Sequence, residues 1–205
     1  MVDPLLFAAF IPAALALNLT PGADMLFCLG QGIRRGTAAA WAASAGVALG
    51  GIVHVCIAGA GLSAILMNWP VTFDVIRWIG VGYLLWLAWA ALRRDRDERV
   101  APKVQARNAF WSGLWVNLSN PKVILFVLAF VPQFVSPNAG PVFLQFLLFG
   151  SVIALGVFII NGLVGVGAGV FGHRLARGSR VLDYVTASLF TALAVRLALL
   201  ERSGP

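Results

Sequence analysis

The chain predicts an all-α, polytopic membrane fold of six transmembrane helices in two inverted three-helix halves. Three observations predict it. Of 205 residues, 60% are hydrophobic and 11% charged, with a mean hydropathy of +0.89, so a charged surface for a soluble domain of this size cannot be made. Apolar runs of about 20 residues, the length a helix needs to cross a bilayer, recur along the chain. Finally, Lys and Arg gather in every second connection.

Spans are read at 5–30, 38–67, 75–92, 110–135, 141–171 and 181–200. The first is not a secretory signal: Met1-Val2-Asp3-Pro4 has no basic start, and the first Arg is Arg34. This span is expected to remain in the mature protein. Arg34 and Arg35 follow span one, Arg93, Arg94, Arg96, Arg99, Lys103 and Arg107 follow span three, and Arg174, Arg177 and Arg180 follow span five. The loops 68–74 and 136–140 contain no Lys or Arg. By the bias of cations toward the cytoplasm, the three basic loops lie inside and both termini outside, with Asp3, Asp74, Glu201 and Arg202. The net charge of +7 thus orients the protein in the lipid bilayer and calls for no nucleic acid. Asp95, Asp97 and Glu98 dilute any attraction of Arg93–Arg107 to anionic lipid.

Tryptophans fit these boundaries. Trp41, Trp89, Trp111 and Trp115 fall near cytoplasmic ends, and Trp69 and Trp78 flank an outer loop, as an amphipathic ring at an interface would. Cys28 and Cys56 differ in depth by roughly 20 Å, too far for a disulfide, and read as inert buried thiols. With two cysteines and two histidines scattered, the sequence offers no metal cluster, no cofactor motif and no nucleophile–base set.

Six spans divide three and three about the polar loop 93–109, giving one transporter domain with halves 1–92 and 110–205. An odd number of spans per half makes the halves run in opposite directions, the arrangement of inverted-repeat transporters. Each half carries one break: Asn18-Leu19-Thr20-Pro21-Gly22 in span one and Asn117-Leu118-Ser119-Asn120-Pro121-Lys122 in span four. Hydrocarbon tolerates broken helix only where it is buried in protein or lines a wet cavity, and paired breaks point to a transport site. Counted from the cytoplasmic ends, Pro21 and Pro121 both lie about 14–15 Å deep, near the midplane, and Asn161 in span five falls at a similar depth. Each proline frees the carbonyl four residues before it, Leu17 or Asn117. The neighbouring Asn18, Thr20, Asn117, Ser119 and Asn120 can hydrogen-bond locally or meet a polar solute. The alternative is a pair of ordinary proline kinks.

Asp24 and Lys122 stand beside these breaks. A charge near the bilayer centre costs roughly 2.5–3.5 kcal/mol. Lys122 can snorkel toward the cytoplasm; Asp24 is too short to do so and needs a partner or a proton. A permanent ion pair between them is one reading. The preferred one is a pair that opens in transport, Lys122 meeting a carboxylate and Asp24 an ammonium group or a coupling proton. His54 is a second proton-coupling candidate, or a helix-to-helix hydrogen bond. Asp183 reads as paired with Arg180, and Arg196 as snorkelling outward. Small residues at Ala42, Gly46 and Gly50, and at Gly165 and Gly169, read as close helix packing that would also allow a homodimer.

Leu19-Thr20-Pro21-Gly22-Ala23-Asp24-Met25, Val53-His54, Tyr83-Leu84-Leu85-Trp86-Leu87 and Asn117-Leu118-Ser119-Asn120-Pro121-Lys122 together resemble the lysine exporter (LysE) family, including its RhtB-type homoserine and threonine efflux branch. The likeness runs through nearly the whole chain in matching order. Ala23 departs from it, standing where the family often has a second proline. The resemblance implies export of amino acids or close derivatives across a bacterial inner membrane, driven by the proton gradient. The expected mechanism is alternating access about a midplane site of Asn18, Thr20, Pro21, Gly22, Asp24, Asn117, Asn120, Pro121, Lys122 and Asn161 that binds a small-molecule substrate. A membrane-embedded enzyme or thiol-electron carrier, and a structural or sensory subunit, are the competing classes.

Overall fold

The computed structural model describes residues 4–68, 108–136 and 139–167, with residue 2 and single residues between 78 and 93 and between 184 and 198. The loop cations from Arg94 to Arg107 and from Arg174 to Arg180, together with Asp3, Trp69, Asp74, Tyr83, Leu84, Leu87, Gly169, Asp183, Arg196, Glu201 and Arg202, lie outside the described residues. The fold is all-α. Its continuous helices are α1 (Pro4–Leu19), α2 (Ala23–Arg35), α3 (Thr37–Asn68), α4 (Ala109–Leu118), α5 (Pro121–Phe130, prolonged by a 3-10 turn Val131–Phe134) and α6 (Val142–Val166). The residues described within 78–92 and 184–198, where spans three and six are expected, are helical too.

Two of these helices, α3 and α6, are long and apolar enough to cross a membrane alone, and α1–α2 and α4–α5 qualify as bent pairs. The pairs bend by 55° and 57°. In the first, Pro21 cannot donate to a helical carbonyl, and Gly22 takes an extended conformation at the start of α2. In the second, Asn120 caps α5 by accepting from Lys122 N–H at 3.1 Å, and Pro121 occupies the first helical position, where no donor is needed. Span one is longer than the sequence suggests. It continues past Gly30 to Arg35, so Arg34 and Arg35 form the last turn of α2 and complement its negative end rather than lying in a loop. Gly36, at φ 84°, then turns the chain into α3.

The helix α3 packs mainly against α6 and α4, and small residues let the backbones touch. A side chain on Gly46 would collide with the Phe110 carbonyl of α4, and one on Gly113 with the Ala43 carbonyl of α3. Gly165 is pressed likewise between Ala40 and the Cys28 carbonyl. The packing reading of Gly46, Gly50 and Gly165 therefore holds. Trp41 departs from the interfacial reading: it is half-buried, lies over Gly162 and tilts against Phe158 with ring centroids 5.0 Å apart. An absent side chain at position 162 opens the slot that the indole fills. Trp78, Trp89, Trp111 and Trp115 are all exposed. Both cysteines are free.

A second packing zone joins α1, α5 and α6. Phe10, Phe126, Phe130, Phe134, Phe146 and Phe149 are fully buried there, with Phe10 centred 5.3 Å from Phe130 and 4.6 Å from Phe149. Stacked, tilted and edge-on rings of this kind add to the dispersion energy of the contact.

Candidate functional site between the two helix breaks

Both carbonyls that the prolines free are taken up by long side chains from elsewhere in the chain. The Leu17 carbonyl accepts from Lys122 Nζ at 3.1 Å, and the same ammonium donates to the Thr20 carbonyl at 2.8 Å. The Asn117 carbonyl accepts from His54 Nε2 at 3.2 Å and from the Asn120 N–H at 2.9 Å. Lys122 thus ties the second break to the first, across more than a hundred residues of sequence, and His54 ties α3 to the end of α4.

Asp24 sits in the first turn of α2, where a negative charge is favoured by the helix end. It is buried and accepts from Asn117 Nδ2 at 2.9 Å through Oδ2. The Asn120 side chain lies beside the same carboxylate, and the Lys122 ammonium is near enough to act on it through space. The hydrogen bonds described for the two charges nevertheless go to different groups, Asp24 to an amide and Lys122 to carbonyls. Asn18 is anchored by Nδ2, which donates to the Ile153 carbonyl of α6 at 3.2 Å.

These groups surround a cavity of about 30 Å³, room for about two water molecules. Eight of the ten substrate-site residues expected from the sequence line it: Asn18, Thr20, Gly22, Asp24, Asn117, Asn120, Lys122 and Asn161. Pro21 and Pro121 do not line it. Pro121 is on the exposed face of α5, and both prolines act through the backbone they interrupt. The hydrogen bond described for His54 runs to the Asn117 carbonyl, which is the helix-to-helix bond weighed as its alternative role, and His54 is near enough to Asp24 to act on it through space. The apolar side of the wall, Met25, Val47, Val123, Ile153 and Val157, and the bare position Gly51 carry no sequence signal, because apolar residues and glycines occur all along these spans.

The polar atoms around the cavity are unbalanced. Asn18 Oδ1, Asp24 Oδ1 and Asn117 Oδ1 are buried with no hydrogen-bond partner among the described residues. All three are acceptors. Each can take an N–H or O–H donor from whatever fills the cavity, water included.

The LysE type translocator family model matches residues 15–201. The chain belongs to this family. The match takes in both breaks, both charges and α6, and it places the protein among translocators rather than enzymes. The chain is 29% identical to the leucine efflux protein of Enterobacter sp. (strain 638) over 203 residues, covering 95% of this chain and 96% of that protein. It is 30% identical to the leucine efflux protein of Klebsiella pneumoniae, covering 95% of each. A homoserine/homoserine lactone efflux protein of Salmonella typhi is 27% identical, with 93% of this chain and 94% of that protein covered. No solved structure matches the chain.

Proposed function

We propose that this LysE-family member exports amino acids or close derivatives across the bacterial inner membrane, through the cavity between its two helix breaks. One observation carries the reading: a buried carboxylate and an ammonium, Asp24 and Lys122, line one small cavity together with the ends of two interrupted helices. A zwitterion complements such a site. Its ammonium supplies donors for Asp24 Oδ1 and the neighbouring amide oxygens, and its carboxylate meets Lys122. Met25, Val47, Ile153 and Val157 leave the remaining wall apolar, which suits a neutral aliphatic side chain, as do the relatives named for leucine efflux.

The cycle is alternating access, with one half rocking against the other about this point. Near-equal bends of 55° and 57° and one break in each half support two inverted units. With room for only about two waters, the cavity must widen to take an amino acid. Asp24 is the carboxylate we assign to proton exchange, since it alternates between a substrate ammonium and a proton. Outward release is then followed by protonation and return of the empty carrier. His54, bound to the Asn117 carbonyl, stands one residue contact from Asp24 and is the second coupling position.

The test is efflux from cells preloaded with a labelled panel of amino acids and dipeptides. Wild type is compared with Asp24→Asn and Lys122→Ala at equal membrane expression, with and without a protonophore. We expect faster loss of a neutral amino acid in wild type, abolished by either substitution and by the protonophore. Equal efflux in wild type and both variants returns the protein to a structural or sensory role.

A further inference from the structure

The hydrogen bonds described for the Lys122 ammonium go to two backbone carbonyls, beside the cavity that the same side chain lines. It donates to the Leu17 carbonyl, which Pro21 deprives of a helical donor, and to the Thr20 carbonyl at the end of α1. Both acceptors belong to the negative end of a half-helix, where a cation is favoured. Lys122 itself stands on the first turn of α5. The two bonds therefore fasten the two breaks to each other. The same side chain lines the cavity, and its Nζ lies 3.7 Å from where a Cβ on Gly22 would stand, so a solute there has direct access to it.

We infer that Lys122 is a latch that only a carboxylate releases: bound to the Leu17 and Thr20 carbonyls it holds the empty carrier closed, and it transfers to the substrate's carboxylate when one enters. This rests on the exporter reading and deepens it, because it makes a free carboxylate a condition for opening. An ammonium already makes a charge-assisted bond to a neutral carbonyl, and a carboxylate adds to it the attraction between two full charges. A carboxylate therefore binds the released lysine better than the latched one, and a ligand shifts a conformational equilibrium only through such a difference. An amide or a simple amine fills the Asp24 side of the cavity equally well, but the amide offers Lys122 only another neutral carbonyl and the amine no acceptor at all. Such compounds are expected to bind without opening the carrier. Selection against biogenic amines then comes from the opening step rather than from shape.

Gly51 provides the reporter. It lines the cavity, and a Cβ added there meets no atom within 4 Å. In the full-length chain carrying Cys28→Ala, Cys56→Ala and Gly51→Cys, reconstituted in liposomes, the rate of alkylation by a small maleimide is measured. The ligands are L-leucine, leucinamide, 3-methylbutylamine or none. We expect leucine to accelerate labelling at least five-fold and the two carboxylate-free compounds to leave it unchanged. Lys122→Met, which keeps length and loses every donor, should label at the leucine-bound rate without ligand, and Lys122→Arg should stay slow. Acceleration by leucinamide or the amine equal to that by leucine overturns the latch. So does a ligand-free Lys122→Met rate equal to that of the parent. Should Lys122→Met fail to accumulate, the three ligands on the parent protein decide. Leucine efflux without any change in labelling defeats the latch alone. Absence of efflux for every solute of the preloaded panel defeats the exporter reading, and the ligand-free comparison of Lys122 with its variants then still decides the latch.

Discussion

Asn117 and Asn161 are both buried asparagines of the cavity wall, and they are expected to behave differently when removed. Asn117 donates to Asp24 at 2.9 Å, so Asn117→Leu leaves a buried carboxylate oxygen without its donor. That costs about 1–3 kcal/mol and should lower the melting temperature in detergent as well as efflux. Asn161 lines the cavity with no side-chain hydrogen bond described, so Asn161→Ala should melt like wild type while the half-saturating substrate concentration rises several-fold. Equal melting losses in both variants would show that Asn161 is structural. Polar residues of this kind are legible in the sequence because they are rare in an apolar span and must be matched by something. The partner of each is not legible. Direct pairing of Asp24 with Lys122 is an economical expectation; the hydrogen bonds described for the ammonium go to the Leu17 and Thr20 carbonyls, and the two charges act on each other through space.

At the scale of the elements, the glycines separate into those that bring backbones together and those that face space. Gly46 and Gly113 pack α3 onto α4 so closely that a methyl group on either would meet a carbonyl of the other helix. Gly46→Ala and Gly113→Ala are expected to reduce folded protein in the membrane several-fold, whereas Gly51→Ala, whose methyl group meets nothing, should accumulate as wild type does. Fluorescence-detected size exclusion of tagged variants gives the comparison; normal accumulation of Gly113→Ala would count against backbone contact as the basis of this interface. Every-fourth-residue spacing at Ala42, Gly46 and Gly50 makes such a seam visible in the sequence. Which helix it meets is not visible, nor is the slot at Gly162 that draws Trp41 away from an interface and onto α6. Helix ends are also decided late: α2 runs to Arg35 because its two arginines are stabilised by the helix terminus, where a loop had been the simpler expectation.

For the molecule as a whole, the expected orientation is open to direct test. A reporter active only outside the cytoplasm should be active when fused after residue 205 and inactive when inserted in the loop 93–109, while a cytoplasm-dependent reporter should show the reverse. The opposite pattern would invert the direction in which Asp24 and Lys122 face the two compartments. On the expected orientation, the phenylalanine zone of α1, α5 and α6 lies on the outer side of the cavity and the glycine seams of α2, α3, α4 and α6 on the inner side. Ring contacts slide at modest cost, whereas interlocked backbones do not. The outer zone is therefore where an exporter of this build is expected to part.

The sequence by itself determined the class of the protein: composition excludes a soluble fold, while cation spacing sets the expected orientation and two proline breaks with one charge each set the candidate site. These are properties of single residues against the bilayer, and the cost of a charge or an unmatched carbonyl in hydrocarbon makes each of them conspicuous. The tertiary structure decided who answers whom. It gave the Leu17 carbonyl to Lys122, the Asn117 carbonyl to His54 and the Asp24 carboxylate to Asn117, and it built an apolar wall from residues indistinguishable in sequence from any others in a span. Partnership depends on how helices rotate about their axes and on how closely glycines let them approach, and that is settled only when all of them pack at once.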